Sequence, residues 1–129
     1  MQALVVERLT GDLSGAGLAD VAEPQRGAGE VKVRVRAASL NFPDLLMTRG
    51  EYQFKPEVPF TSGLEFAGEV LEADPESGFA PGDRVMGGNK TGAFAEIACV
   101  PAGKLSTMPA GLDFPAAAAM GAAYSTAFT

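Results

Sequence analysis

Sixteen glycines and nine prolines are scattered through the 129 residues and do not gather into one linker, so they cut the chain into many short elements. That punctuation favours a mainly β domain. The clearest strand is Glu30–Ala38, where Val31, Val33, Val35 and Ala37 alternate with Glu30, Lys32, Arg34 and Arg36. A period of two puts one set on a core face and the other in water. Further strands are predicted at Gln2–Leu9, Leu18–Val21, Glu65–Ala73, Asp83–Met86 and Ala93–Val100, each bounded by Gly, Pro, Asp or Asn. Elements of this length suggest a barrel or a sandwich. Two segments depart from the pattern. Phe42–Arg49 reads as a short helix, with Asn41 as cap, Pro43 in its first turn and Gly50 as its stop. A second helical segment is predicted from Asp113, a cap before Phe114-Pro115 and Ala116–Ala119, and it runs through small residues to Thr129 without a closing signal.

The length argues for one domain, residues 1–129, and apolar residues at 47% are enough for a single core without disulfides. Sixteen acidic against ten basic residues give a net charge of −6, which repels phosphate backbones, so nucleic acid is not an expected partner. The apolar stretches are far shorter than the roughly 20 residues of a membrane helix, and Glu7 and Arg8 interrupt the start where a signal peptide stays apolar. The single cysteine, Cys99, has no partner within the chain and fits a reducing compartment, so a cytoplasmic location is expected. On that expectation the Asn89-Lys90-Thr91 sequon is accidental. Cys99 lies in a strand pattern and reads as a structural cysteine. Histidine is absent. Histidine zinc sites, Ser-His-Asp triads and Cys-His pairs are therefore impossible within the chain.

Two glycine strings imitate phosphate loops and fail. Gly63-Leu64-Glu65-Phe66-Ala67-Gly68 is followed by Glu69-Val70 where Lys and Ser or Thr are required. In Gly87-Gly88-Asn89-Lys90-Thr91-Gly92 the residue before the lysine is Asn89, and the string reads as a tight hairpin turn. No GxGxxG follows a strand. The richest polar cluster is Asn41-Phe42-Pro43-Asp44 with Arg49-Gly50-Glu51-Tyr52 close behind. Two readings stand on residue types alone: Asn41 and Tyr52 polarise a carbonyl without a metal, or the same residues are a helix cap, a helix-end charge and a surface aromatic.

Six ordered blocks carry a resemblance: Gly29-Glu30-Val31, Ala37-Ala38-Ser39-Leu40-Asn41-Phe42-Pro43-Asp44, Arg49-Gly50-Glu51-Tyr52, Gly63-Leu64-Glu65-Phe66-Ala67-Gly68-Glu69-Val70, Gly82-Asp83-Arg84-Val85 and Gly92-Ala93-Phe94-Ala95-Glu96. With the Ala-rich run and Ser125-Thr126-Ala127, they resemble the N-terminal GroES-like catalytic domain of medium-chain dehydrogenases/reductases, in the branch of the zinc-independent quinone oxidoreductases. The resemblance implies a GroES-like, partly open β-barrel with a few short helices and a C-terminal helical segment. Zinc dehydrogenases of the superfamily carry Cys where this chain has Asn41 and His where it has Leu64, and the four-cysteine zinc lobe is missing, so no zinc is expected.

The resemblance also implies an activity, in which NADPH delivers hydride to a quinone or an α,β-unsaturated carbonyl compound in a cleft between this domain and a Rossmann domain. Asn41 and Tyr52 are then the polar catalytic groups, and Asn41 and Thr126 lie against the nicotinamide. Asp44, Arg49 and Glu65 support the site, Asp44 and Arg49 by holding the Asn41 loop and Glu65 through a scaffold salt bridge. Phe42, Phe60 and Leu64 serve either as an apolar pocket wall or as core. The Rossmann domain that would hold most of the NADPH site is absent from this sequence, so the isolated chain is expected to be nearly inactive, and a full-length parent is expected to be a homodimer. The alternatives are an enoyl-thioester reductase, a non-catalytic NADPH-binding or structural relative and, from fold name alone, a co-chaperonin.

Overall fold

Short apolar runs between glycines and prolines become short strands, in the order β1 (Gln2–Val6), β2 (Ala16–Asp20), β3 (Glu30–Ser39), helix α1 (Phe42–Arg49), β4 (Phe60–Thr61), β5 (Glu65–Glu72), β6 (Arg84–Gly88), β7 (Ile97–Pro101) and β8 (Leu105–Thr107). The structure is a computed structural model that describes residues 1–12, 14–39, 42–51 and 56–119. Single 3-10 turns occupy Pro75–Ser77 and Ala102–Lys104, and residues 114–119 are helical. The described strands form two antiparallel sheets, β2-β1-β4 and β7-β3-β5-β6-β8, in a mainly β architecture that does not close into one barrel.

The alternation in β3 is realised as predicted. Val31 and Val33 are fully buried while Arg34 and Arg36 are exposed. These valines pack with Phe66, Val70, Val85, Val100 and Leu105 in the main core. Burying each such side chain is worth about 1.5–3 kcal/mol, which is what holds five short strands in one sheet. A smaller cluster of Ala67, Met108, Ala117 and Ala118 seats the 114–119 helix on β5. A third, of Val6, Met47 and Phe60, seats α1 on β1 and β4.

Helix signals in the sequence match the backbone closely. Gly50 follows α1 with φ +74° and donates to the Met47 carbonyl at 3.1 Å, a left-handed stop that suits glycine. Asp113 Oδ1 accepts from the Ala116 N–H at 2.9 Å, which is the expected N-cap. The predicted Asn41 cap and the segment from 120 to Thr129 lie outside the described residues.

Strand ends depart from the expectations where long-range contacts decide them. β1 stops at Val6, β2 begins at Ala16, and β4 and β8 were not anticipated. Residues 93–96 do not extend β7 but strap the two sheets together. Leu4 N–H donates to Phe94 O at 2.8 Å, Phe94 N–H to Ser62 O at 2.9 Å, and Val35 N–H to Glu96 O at 2.9 Å. The expected hairpin turn at Gly87–Gly92 is also corrected. Gly87 and Gly88 are the end of β6, which pairs with β5 and β8, while β7 lies on the far side of β3. The reason is steric: a Cβ on Gly88 would overlap the Leu64 carbonyl, and one on Gly87 the Lys104 carbonyl, so the glycines permit close strand approach.

Candidate functional site

Where β5 and β6 begin and end beside the 114–119 helix, the chain leaves a cleft of about 550 Å³. That is within the size range of small-molecule sites. Leu64 and Glu65 form one side, the backbone of Gly87 and Gly88 the floor, Asn89 and Lys90 the rim, Lys104 and Ser106 the far edge, and Ala117 and Ala118 a small-residue wall. Close glycine packing in β6 fixes this floor, because the strand touches the Leu64 and Lys104 carbonyls on its two sides. Asn89 N–H donates to Leu64 O at 3.0 Å, and Lys90 N–H donates to Asn89 Oδ1 at 2.9 Å, which ties the rim to the wall.

Glu65 is the carboxylate of the described cleft lining and is partly buried. The expected partner was a cation, one on the domain outside this sequence included. Among the described residues its partner is a hydroxyl: Ser39 Oγ lies 3.3 Å from Glu65 Oε2 and 2.9 Å from the Ala118 carbonyl oxygen. One side chain at the end of β3 therefore joins β5 to the helical wall. The hydroxyl has one proton for two acceptors, so the shorter contact, to the Ala118 carbonyl, is the stronger tie and the one to Glu65 the weaker.

The other predicted positions are distributed unevenly. Asp44 is buried in the first turn of α1, where Thr48 Oγ1 donates to its backbone carbonyl at 2.9 Å. Arg49 stands on the surface at the end of the helix, with Nη2 3.4 Å from Glu51 Oε1. Neither lines the cleft. Asn41, Tyr52 and Thr126 lie outside the described residues, as does the side chain of Phe42. Phe60 belongs to the core cluster with Val6 and Met47, whereas Leu64 both packs on that cluster and faces the cleft. Sequence reasoning missed Asn89, Lys90 and Lys104 as cleft residues, and Ser39 as the neighbour of the cleft residue Glu65. Ser39 was inside a quoted block, and the other three carried no local signal beyond turn chemistry.

Cys99 is away from this cleft, beside a second hollow of about 360 Å³. Its Sγ is 3.8 Å from the Pro24 carbonyl oxygen, and burial, with the nearby Glu30 carboxylate, pushes the thiol pKa up. It is the opposite of an activated thiolate. Among the described residues no three His, Cys, Asp or Glu side chains gather as metal ligands, and no helix is long and apolar enough to cross a membrane.

The family described as alcohol dehydrogenase GroES-like domain matches residues 27–110, from the entry into β3 to just past the last strand, and so spans Glu65, Lys90 and Lys104. The chain belongs to that family. This GroES-like domain is 39% identical over 104 residues to a quinone oxidoreductase-like protein 2 homolog of Nematostella vectensis, across 79% of this chain and 28% of that protein. Its fold superposes on a probable oxidoreductase from Mycobacterium abscessus with a TM-score of 0.95 and 43% identity, covering 99% of this chain and 41% of the other. It superposes on a quinone oxidoreductase from Thermus thermophilus, a protein solved also in complex with NADPH, with a TM-score of 0.84 and 37% identity over 99% of this chain and 39% of that one. The chain thus spans well under half the length of these relatives.

Proposed function

We propose that this GroES-like domain is the substrate-side catalytic part of a metal-free, NADPH-dependent reductase acting on a quinone or an α,β-unsaturated carbonyl compound. Its nucleotide-binding Rossmann domain would lie in the length of the relatives that this chain does not span, and the full-length protein would be a homodimer. The observation that carries the reading is the donor set of the cleft. Leu64, Ala117 and Ala118 offer hydrocarbon, Asn89 and Ser106 offer amide and hydroxyl groups, and Glu65, Lys90 and Lys104 are the charged residues of the lining. Thiolate and imidazole are not among them, and the one cysteine borders the other hollow. Such a surface suits a flat organic ring with a few polar anchors and lacks the soft ligands zinc requires.

The same groups fit a nicotinamide. Small side chains at Ala117 and Ala118 admit a ring face, and the Asn89 side-chain carbonyl is taken by Lys90 N–H, which leaves its NH2 as a donor for an amide or carbonyl oxygen. NADPH, when bound, supplies the hydride that, with a proton from water, takes a quinone to its hydroquinone or an enone to its saturated ketone, and is itself oxidised to NADP⁺. The chain's own residues bind and orient. Ser39 holds the Glu65 carboxylate and the helical wall, and the Leu64 side chain keeps water from one side of the cleft. By the family resemblance, Asn41 and Tyr52 hydrogen-bond the acceptor carbonyl and stabilise charge developing on its oxygen, Thr126 lies beside the nicotinamide, and Asp44 and Arg49 support the Asn41 loop.

The test is NADPH oxidation by the gene product that carries this chain, with menadione and an enone as acceptors, in wild type and in Asn41→Ala and Tyr52→Phe. The reading expects turnover in the wild type and a kcat/KM at least about tenfold lower in each variant with little change in Tm. NADPH binding without turnover of any quinone or enone would instead make this a non-catalytic relative.

A further inference from the structure

Glu65 and Glu69 stand on one face of β5, since side chains along a strand alternate and the register with β6 runs unbroken from Glu65–Gly88 to Glu69–Arg84. Their neighbours across the sheet differ. Glu69 is placed opposite Arg34 of β3 and Arg84 of β6, and Arg36 Nε lies 2.9 Å from its Oε1. Glu65 is placed opposite Ser39 of β3 and Gly88 of β6, so one neighbour offers a hydroxyl and the other no side chain at all. The Ser39 proton has a nearer acceptor in the Ala118 carbonyl, at 2.9 Å against 3.3 Å for Glu65 Oε2. Among the described residues no cation pairs with Glu65, and that holds for Lys90 and Lys104 of the same cleft lining. The strand thus carries one carboxylate set among arginines and another, partly buried, that faces a cleft with a single shared hydroxyl.

The sheet itself keeps the flank of Glu65 bare. A Cβ on Gly88 would overlap the Leu64 carbonyl and come within 3.0 Å of Glu65 Cα, so a side chain opposite Glu65 would force the strands apart. Ala117 and Ala118 keep the facing wall equally small. A flat ligand in this cleft displaces water from the carboxylate, and a carboxylate stripped of water without a replacement donor loses more than a neutral group does. We infer that Glu65 is a specificity-determining residue, whose carboxylate accepts a hydrogen bond from an O–H on the acceptor substrate and so favours an acceptor bearing a hydroxyl over its hydrocarbon analogue. This rests on the reductase reading for turnover, whereas the hydrogen-bond acceptor itself stands on the cleft alone. The carboxamide and ribose of the cofactor are the other source of N–H and O–H donors, and the test separates the two.

The experiment uses the gene product that carries this chain and compares an ethyl-substituted naphthoquinone with its hydroxyethyl analogue as acceptors, in wild type, Glu65→Ala, Glu65→Gln and Glu69→Gln. Glu69, on the same face of β5 but outside the cleft lining, controls for loss of one negative charge. The expected kcat/KM ratio of hydroxyethyl to ethyl quinone is about ten in the wild type. It falls about fivefold in Glu65→Ala, falls less in Glu65→Gln, which keeps an uncharged acceptor, and stays unchanged in Glu69→Gln. Because the ratio is taken within each variant, a loss of folded protein cancels from it. Calorimetric binding of the two quinones without NADPH should show the same preference, a readout that does not depend on turnover. A ratio near one in the wild type, or one that survives both Glu65 substitutions, overturns the inference. An equal loss for both acceptors with a raised KM for NADPH assigns the donor to the cofactor and overturns it as well. A Glu65-dependent preference in binding without oxidation of NADPH would uphold the role of the carboxylate while sinking the reductase reading.

Discussion

Strand β5 ends in carboxylates on both sides, and the two ends are treated differently. At its C-terminal end Arg26 reaches Asp74 Oδ1 at 2.7 Å and Glu72 Oε2 at 3.9 Å, and Asp74 Oδ2 also accepts from the Gly29 N–H at 3.1 Å. At its N-terminal end Glu65 takes a serine hydroxyl and faces an open cleft rimmed by lysines. The first end is a clasp that fastens the 22–29 loop to the sheet, with its charges spent on one another. The second borders an open cleft. A single strand thus separates an ion-paired end from a cleft-facing one, and what distinguishes them is whether the local carboxylate is matched by a cation or by a neutral hydroxyl.

The largest effect should come from the residue that both ends share as a foundation. Phe66, 1% exposed at the centre of the main core, replaced by alanine, should cost about 3–5 kcal/mol and disrupt clasp and cleft together. Urea unfolding of the gene product would measure it, and a cost under about 1 kcal/mol would mean that the two ends are not built on one core. Ser39→Ala removes the tie between Glu65 and Ala118 and should cost about 1 kcal/mol. It should also lower reductase kcat/KM, and restoration by Ser39→Thr would show that the hydroxyl, and not the volume, matters.

Asp74→Asn should sharpen the contrast through its pH dependence. Arg26 beside it, followed by the Gly29 N–H, holds the folded Asp74 carboxyl below its ordinary value of 3.8. A depressed carboxylate contributes stability that is complete above its unfolded pKa and is lost as pH falls through the lower folded value. The Tm difference between wild type and Asp74→Asn should therefore be present at neutral pH and shrink below pH 3.8, whereas a pH-independent difference would remove the clasp from the account. The smallest effect belongs to Arg49→Gln. Its pair with Glu51 is between side chains 43% and 50% exposed, so the change should be under about 0.5 kcal/mol by thermal unfolding. A larger loss would support the loop-holding role that the family resemblance implies.

Legibility followed the range of the interaction. The valine alternation of β3, the bounds of α1, the Gly50 stop and the Asp113 cap were readable because each is set within a few residues by periodicity, φ preference or a side-chain cap. Glu65 was legible only through the ordered motifs of the family, which also supplied Leu64 and its apolar replacement for a metal ligand. Within the Gly87–Gly92 string, Gly87 and Gly88 were misread as turn because the contacts that hold them in β6 come from Leu64 and Lys104, each more than a dozen residues away. The role of residues 93–96 was hidden for the same reason, since their partners are Gln2, Leu4, Val35 and Ser62.

By itself, then, the sequence determined a mainly β domain without histidine chemistry, since composition, period-two alternation and local caps act over short spans and survive without knowledge of the rest, and the GroES-like family came from the resemblance of its ordered motifs. Only the tertiary structure decided that two glycines would be strand and not turn, that Ser39 would stand between Glu65 and the Ala118 carbonyl, and that lysines 14 residues apart in the chain would rim one cleft. Those are facts of close approach between segments distant in sequence, where steric fit and the pairing of charges are defined only once the sheet has formed.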